Sequence, residues 1–232
     1  GSPAGFGDGG GLFASSGTLT LRNTIVAGNF DSENNTGAGN IHPDISGTVS
    51  SAGNNLVGIG SGALGITNGA SNDRVGERLQ PLDARLATLD SNGGPTETHL
   101  LKVQSPAIDG GNNDAIVEAT FGAMPFTDQR GTGFDRILDG TGDADAVVDI
   151  GAVEFVSRAP SFASAPVLTV DEDNLYQYAI EMADENLDEQ FTISAEGLPA
   201  WLTLQVTGNN TATLSGTPTN EDIGDHEVSL LV

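Results

Sequence analysis

Four aspartates fall within eleven residues of this chain: Asp139, Asp143, Asp145 and Asp149, in the stretch DGTGDADAVVDIGAVEF at 139–155. Carboxylates at this density can hold a calcium ion or act as a catalytic acid and base. An EF-hand loop starting at Asp139 would need glycine and glutamate where Ala144 and Ile150 stand. An EF-hand is therefore excluded, and a calcium site of another type, formed by Asp139, Asp143 and Asp145, stays open.

Acidic and basic residues elsewhere could serve a polysaccharide lyase or hydrolase. A hydrolase needs two carboxylates across the scissile bond, and a lyase needs carboxylates beside a basic residue. The candidates are Asp109, Asp114, Asp128, Asp149 and Arg130. Asp109 and Asp149 lie in AIDGG and VDIGA, where a carboxylate at a strand end can accept backbone N–H bonds from a corner. That structural role is favoured over catalysis.

Other site classes find little support in the residue pattern. The three histidines, His42, His99 and His226, lie in unrelated contexts and predict no zinc site. The chain has no cysteine, which excludes disulfides and thiolate metal sites. No G-x-S-x-G motif is present, and the glycine-rich opening GFGDGGG lacks the lysine of a phosphate-binding loop.

Charge is strongly one-sided over the 232 residues. Aspartate and glutamate number 32 against 8 lysines and arginines, for a net charge of −24. Such a surface repels nucleic acid and anionic membranes and attracts divalent cations. No run of about 18 apolar residues occurs, so no membrane insertion is expected. The ends, GSPAGFGDGGG and HEVSLLV, break off in mid-pattern and predict a fragment of a longer chain.

Composition divides the chain near residue 157. Residues 1–157 hold 28 of the 32 glycines, whereas residues 158–232 hold four glycines, 13 acidic residues and one basic residue. The Pro-, Ser- and Ala-rich segment VSRAPSFASAP at 156–166 shows no periodicity. We therefore predict three parts: an N-terminal domain at 1–157, a linker at 158–166 and a second domain at 167–232.

Short apolar runs separated by Gly and Asn fill the first part, at 17–29, 40–58, 105–112 and 149–156. No two-residue hairpin turn joins them, so they favour stacked short strands over hairpins. A parallel β-helix needs this pattern, with Gly or Asn at its corners. We expect DIGAVEF to be its last strand. Residues 77–90 are interrupted by Pro81 and predict at most a turn or a cap.

The second part alternates between apolar and polar residues. The alternating apolar positions are Tyr176, Tyr178, Ile180 and Met182, then Phe191 and Ile193, then Val228, Leu230 and Val232. Short alternating strands with turns between them predict a small antiparallel β-sandwich. Trp201, the only tryptophan, is expected to fill the core of that sandwich rather than to stack on a ligand.

Five motifs in the first part occur in a characteristic order: GTLTLRNTIVAGN, LDSNGGPTETHLL, SPAIDGGN, TDQRG and DIGAVEF. Together they resemble the C-terminal end of bacterial right-handed parallel β-helix proteins of the choice-of-anchor Q type. The resemblance implies a solenoid of the pectate-lyase type in a large exported protein. Active grooves of such solenoids usually lie on the middle coils, so we expect no catalysis by this piece.

Two stretches of the second part carry another resemblance: VDEDNLYQYAIEMADENLDEQFTISAEGLPAWLTL at 170–204 and ATLSGTPTNEDIGDHEVSLLV at 212–232. They are similar to the dystroglycan-type cadherin-like, or Ig-like, domain of bacterial surface proteins. In that family an acidic cluster is associated with calcium, and the matching positions are Asp184, Asn186 and Asp188. Glu172 or Asp222 could complete the ligand shell, and a solvated acidic loop is the alternative.

The leading hypothesis is a non-enzymatic structural or adhesive module on the surface of a bacterial cell, rigidified by calcium. Its partners would be the neighbouring domains of the same long chain, with self-association through an open solenoid end as a further expectation. A glycan-binding adhesin and a polysaccharide-active β-helix enzyme are the alternatives. The low aromatic content of 5% gives little support to glycan binding.

Overall fold

The computed structural model describes residues 10–31, 43–118, 122, 124–186 and 191–232. The chain divides into two compact units, Gly1–Ser157 and Arg158–Val232. The described parts of both are all-β, with short 3₁₀ helices at Ala70–Asn72, Asn113–Ala115 and Asn220–Asp222. Within these ranges, no helix has the length and apolar character that a membrane span requires.

Two small parallel sheets form the regular part of the N-terminal unit. Their strands are β1 (Leu12–Leu21), β2 (Ile25–Val26), β3 (Ile45–Ser51), β4 (Leu56–Val57), β5 (Ala63–Leu64) and β6 (Arg74–Val75). One sheet has the order β1-β3-β5 and the other the order β2-β4-β6. The chain therefore enters the two sheets alternately and passes through both three times. We call these passages coils 1, 2 and 3.

An asparagine forms the corner before the second strand of each coil. Asn23, Asn54 and Asn72 have positive φ angles of 46°, 56° and 60°. Each lies two residues before β2, β4 or β6. Asparagine tolerates this left-handed conformation better than most residues. The repeated corner brings the three strands into register.

A row of polar side chains next to these corners joins the coils. Asn55 is fully buried, and its amide oxygen accepts a hydrogen bond from the Thr24 backbone N–H at 3.2 Å. Asp73 repeats the contact one coil further, since its carboxylate accepts from the backbone N–H of Asn55 at 3.0 Å. Its Oδ1 atom also accepts from the Asn55 side chain at 2.9 Å. These bonds satisfy backbone donors that the short strands leave without partners.

Residues 106–112, which we call the strap, run back across all three coils. Side chains at the corners donate to strap carbonyl groups: Arg74 to Pro106, Asn54 to Gly110 and Gly111, and Asn23 to Asn112. The backbone N–H of Asn112 donates to the Asn23 side chain in return, at 3.0 Å. The strap is thus fixed to coil 3, coil 2 and coil 1 in turn.

The strands predicted within 17–29 and 40–58 are confirmed, but those predicted at 105–112 and 149–156 are wrong. Both latter segments lack strand structure. Asp109 has a φ of 47° and Gly151 a φ of 107°, which takes the backbone out of the extended region. Residues 77–90 contain a turn closed by a bridge between Glu77 and Gln80. The parallel β-helix itself stays a prediction, since the sheets described are small.

The C-terminal unit contains two antiparallel sheets. Its strands are β7 (Ser161–Phe162), β8 (Tyr176–Ala183), β9 (Ser194–Glu196), β10 (Leu202–Gly208), β11 (Thr211–Gly216) and β12 (Ser229–Leu231). One sheet has the order β10-β11-β8-β7 and the other pairs β12 with β9. The strand β7 lies inside the segment predicted to be a linker and pairs with β8.

Alternate residues of the C-terminal strands form its core. Tyr178, Ile180 and Met182 of β8 are buried, while the residues between them are exposed, as their period of two predicts. They form one cluster with Ile193, Leu202, Ala212 and Leu214. Trp201 packs against this cluster and is partly buried, which agrees with the predicted core role.

Candidate functional site

Five charged side chains contact one another in the C-terminal part of the N-terminal unit, between residues 128 and 154. This closing cluster consists of Asp128, Arg130, Arg136, Asp149 and Glu154. Four of its members are buried, and the Arg130 side chain is 9% exposed. Charged groups are rarely buried unless they are paired. The cluster is therefore the strongest candidate for a functional site in this unit.

Asp149 ties the strap to the end of the unit. One carboxylate oxygen accepts the backbone N–H of Asp109 at 2.7 Å, and the other accepts that of Phe155 at 2.5 Å. Both oxygens are thus occupied by backbone donors. Asp109 makes a similar contact, because its carboxylate accepts the Gly140 N–H at 3.1 Å.

Glu154 and Arg136 form the buried centre of the cluster. Their side chains are in direct contact as an ion pair. Glu154 also accepts the backbone N–H of Asp149 at 3.1 Å, and Arg136 donates to the carbonyl of Gly151 at 2.6 Å. This pair therefore fixes the backbone between Asp149 and Glu154, where no strand partner is available.

Asp128 and Arg130 form the second pair of the cluster. Arg130 donates through its Nη2 to Asp128 at 2.6 Å and to the carbonyl of Glu154 at 3.0 Å. Its guanidinium also lies 4.1 Å from the centre of the Phe134 ring, a cation–π distance. Asp128 accepts the backbone N–H of Glu154 at 3.0 Å. The arginine is engaged on all of these sides and is not placed to act as a base.

Three carboxylates face two guanidinium groups in this cluster, which leaves one negative charge in excess. Burial and, after it, the neighbouring charge of Asp149 raise the pKa of Glu154 to about 9 against the opposing effect of Arg136. Burial also raises the pKa of Asp149 to about 7, although the N–H groups of Phe155 and Asp109 lower it. The excess of one carboxylate and the raised pKa values of Glu154 and Asp149 both indicate that the folded cluster retains a proton near neutral pH.

The aspartate turn at 139–145 is organised by its own backbone. Asp139 accepts the N–H of Gly142 at 2.6 Å through one oxygen and that of Ala144 at 2.7 Å through the other. These bonds, the one from Gly142 first, lower the pKa of Asp139. Asp143 accepts the N–H of Asp145 at 3.0 Å. The carboxylates of Asp139 and Asp143 thus cap a turn, and the structure does not gather them with Asp145 into a metal-binding group.

In the C-terminal unit, Asp184 and Asn186 lie close together just after β8. One oxygen of Asp184 accepts the Asn186 N–H at 2.5 Å. Its other oxygen is buried and has no hydrogen-bond partner among the described residues. Asn186 accepts the Arg158 N–H at 2.7 Å. The third predicted ligand, Asp188, lies outside the described residues.

The remaining predicted ligands hold the protein's own backbone or are exposed. Asp222 accepts the backbone N–H and the hydroxyl of Thr219, and the backbone bond is the first cause of its lowered pKa. Glu172 is exposed, and so is Asp114, which was a candidate for catalysis and not for metal binding. Across the described ranges, no three His, Cys, Asp or Glu side chains converge as a metal site would require. Calcium binding therefore stays a prediction.

The histidines do not form a site in the described part of the chain. His99 contacts the Ala87 carbonyl at 2.6 Å and His226 contacts the Asp222 carbonyl at 2.7 Å, and the two belong to different units. His42 lies outside the described residues. Trp201 makes edge-on contacts with Tyr176 at 6.1 Å and with His226 at 5.9 Å.

Comparison with known families matches one region. The family model described as "Putative Ig domain" matches residues 159–232, about one third of the chain. The C-terminal unit is Ig-like. Searches of curated proteins and of solved structures found no match. Ig-like domains are generally non-enzymatic, and this one suggests a structural or adhesive module. The choice-of-anchor Q resemblance of the N-terminal unit finds no match in these comparisons and stays a prediction.

Sequence patterns missed two of the five residues of the closing cluster and the polar row that joins the coils. Glu154 and Arg136 stand in no acidic or basic motif, and Asn55 and Asp73 are single polar residues between apolar ones. A four-residue pattern could have revealed the row: asparagine, then a polar residue, then any residue, then valine. It recurs at 23–26, 54–57 and 72–75. No comparable signal marks Glu154, because its partners are distant in sequence.

The raised pKa values predict a specific pH dependence of stability. The folded unit holds protons that the unfolded chain releases above about pH 4, so this contribution to stability is lost as the pH rises toward about 9. We expect the free energy of unfolding, measured by urea and circular dichroism, to fall by on the order of a few kcal/mol between about pH 5.5 and 9.5. Glu154→Gln should show a much smaller fall above about pH 8, where Asp149 has already lost its proton.

Glu97→Gln is the matched control, because Glu97 is exposed in the same unit. It should retain the full pH dependence of the wild-type protein. Equal slopes for Glu154→Gln and the wild-type protein would show that Glu154 does not carry the proton.

Proposed function

We propose that this chain is a non-enzymatic structural module of a large protein exposed on the surface of a bacterial cell. The observation that carries the proposal is that the candidate catalytic side chains are hydrogen-bonded within the protein. Asp109, Asp128 and Asp149 accept backbone N–H bonds, and Arg130 is occupied by Asp128 and by the Glu154 carbonyl. Side chains that are hydrogen-bonded in this way stabilise the fold and are not free to contact a substrate. The Ig-like unit agrees with the same role.

The N-terminal unit is, in this proposal, the end of a parallel β-helix. Support comes from the alternation of the chain between two parallel sheets and from the register of Ile25 with Leu56 and of Leu56 with Arg74. The corner asparagines repeat in each coil. A solenoid of this kind is stiff, which suits a stalk between neighbouring domains of one chain.

An extracellular location suits the charge of the protein. A net charge of −24 keeps the surface soluble and attracts divalent cations, which are abundant outside cells. Adhesive function would then come from the stalk and its Ig-like unit acting together with neighbouring domains.

An assay with polyuronides tests the non-enzymatic part of the proposal. The protein is incubated with pectate and with alginate, and unsaturated ends and new reducing ends are measured over time. We expect no product above the level of a heat-denatured sample, because the acidic candidates are engaged with backbone. Product formation by the native protein that Asp128→Asn removes and the exposed-site variant Glu97→Gln keeps would contradict the proposal.

We further propose that calcium binds the loop that follows β8. One buried oxygen of Asp184 has no hydrogen-bond partner within the described part of the chain, and such an oxygen is costly unless a cation or a donor meets it. Asp184 and the side-chain oxygen of Asn186 fit the hard oxygen donors that calcium prefers. The ion would neutralise the carboxylate and fix the loop, and Asp188 is the further ligand of the proposal. The other two predicted ligands, Glu172 and Asp222, lie near Tyr176 at the start of β8, whereas Asp184 follows its last residue, so they are too distant to share the ion. The turn with Asp139, Asp143 and Asp145 is a weaker candidate, since both oxygens of Asp139 already accept backbone bonds.

Calorimetry with calcium or with EDTA tests this site. At a calcium concentration about 100 times the Kd, binding adds about 2.7 kcal/mol, which raises the Tm of a unit this small by roughly 11–22 °C. Asp184→Asn should lose most of that increase, whereas Asp139→Asn, in the other unit, should keep it. A Tm of the Ig-like unit that is the same in calcium and in EDTA would exclude the proposed site.

A further inference from the structure

The hairpin between β10 and β11 carries an acceptor pattern for N-linked sugars. Residues 209–211 read Asn-Asn-Thr, which fits N-x-S/T with a middle residue other than proline. The pattern occurs twice in the chain, and the other copy, at 34–36, lies outside the described residues. A pattern alone does not make an acceptor, because the asparagine must be accessible and the threonine hydroxyl must be uncovered.

Asn209 lies at the exposed tip of the hairpin. β10 ends at Gly208 and β11 begins at Thr211, so Asn209 and Asn210 alone connect the two strands. Both of these asparagines are exposed. The backbone carbonyl of Asn210 accepts the N–H of Met182 at 2.9 Å, which fixes the turn to β8. The side chain of Asn209 is thus presented to solvent on an ordered turn.

The fold makes no use of an asparagine at position 209. The corner asparagines Asn23 and Asn54 combine a positive φ angle with side-chain hydrogen bonds to backbone carbonyls. Asn209 shares neither feature, since its φ angle is not positive and its side chain bonds to none of the described residues. Its amide group is therefore available to an enzyme.

The Thr211 hydroxyl lies on the outer face of the sheet β10-β11-β8-β7. Ala212, the next residue, is buried in the core, and successive strand residues point to opposite faces. Thr211 pairs with Glu181 of β8, which is exposed. The hydroxyl of Thr207 donates to that of Thr211 at 3.1 Å. The hydroxyl of the acceptor pattern is thus on the solvent side of the sheet.

Gly208 leaves this hydroxyl uncovered. The φ angle of Gly208 is not positive, so the backbone does not require glycine there. A Cβ atom at position 208 would lie 2.8 Å from the hydroxyl oxygen of Thr211. Any larger residue would therefore displace or cover the hydroxyl. The glycine next to Asn209 matters to the acceptor pattern more than to the turn.

We propose that Asn209 is a site of N-linked glycosylation. Its amide nitrogen attacks the anomeric carbon of a sugar that is esterified to a diphosphate. The C–N bond forms as the C–O bond breaks; the diphosphate leaves with the bonding electron pair, and the nitrogen loses a proton to a base of the transferase. The inference rests on the proposed export of the chain to the cell surface, where a bulky, hydrated group at the hairpin tip would aid solubility.

Sugar transfer to the folded whole chain tests the acceptor site itself. The chain, with Asn34→Gln to remove the other copy of the pattern, is incubated with UDP-glucose and a soluble transferase that acts on N-x-S/T. Peptide mass spectrometry then locates the hexose. We expect one hexose, on Asn209.

Three variants identify the groups that the transfer needs. Thr211→Val removes the hydroxyl of the pattern and should abolish the transfer. Thr207→Val, the matched control, removes the neighbouring hydroxyl outside the pattern and should keep the wild-type rate. Gly208→Ala should slow the transfer several-fold. Transfer to Asn209 in the urea-unfolded chain but not in the folded chain would overturn the proposal.

Glycopeptides of the protein from its natural cell are the second measurement. We expect Asn209 to carry a sugar, and the attached mass distinguishes a single sugar from a nucleotide donor and an oligosaccharide from a lipid donor. Unmodified Asn209 in protein recovered from the cell surface would overturn the proposal. Protein recovered only from the cell interior would contradict the proposed location instead, and the transfer assay would still decide whether Asn209 is an acceptor.

Discussion

Backbone N–H groups outside regular strands need acceptors, and buried carboxylates supply them in the N-terminal unit. Asp149 accepts from Asp109 and from Phe155, and Asp128 accepts from Glu154. Asp73 performs the same function between two coils. The unit has few strand residues beyond β6, so its last 80 or so residues depend on these side-chain contacts. Hydrogen bonds to an ionised acceptor are stronger than neutral ones, which suits this task.

Burying those carboxylates has an electrostatic cost that the two arginines offset only in part. Arg130 and Arg136 neutralise two of the three charges, and the raised pKa values of Asp149 and Glu154 reflect the third. Buried ion pairs contribute little net stability compared with apolar packing, but they are specific in geometry. The cluster thus defines how the strap contacts residues 149–155 at the end of the N-terminal unit. The same occupancy leaves these groups poorly suited to bind or to cleave a substrate.

Sequence patterns predicted local features well and long-range contacts poorly. The alternation of apolar and polar residues in β8 predicted correctly which face is buried, because the direction of each side chain is set by its own strand alone. The apolar residues Ile150, Val153 and Phe155 are buried as DIGAVEF suggests. They do not form a strand, since Gly151 turns the backbone and carboxylates take its amides. The partnership of Glu154 with Arg136 spans 18 positions and leaves no periodic signal.

The closing cluster holds the backbone as a structural element. Amide hydrogen exchange measured by NMR tests this role most directly. Asp109, Glu154 and Phe155 donate to cluster carboxylates, so their amides should exchange only when the whole unit unfolds. The Gly142 amide, which donates to the more accessible Asp139, should exchange much faster. Exchange of the first three amides at the rate of Gly142 would contradict the account.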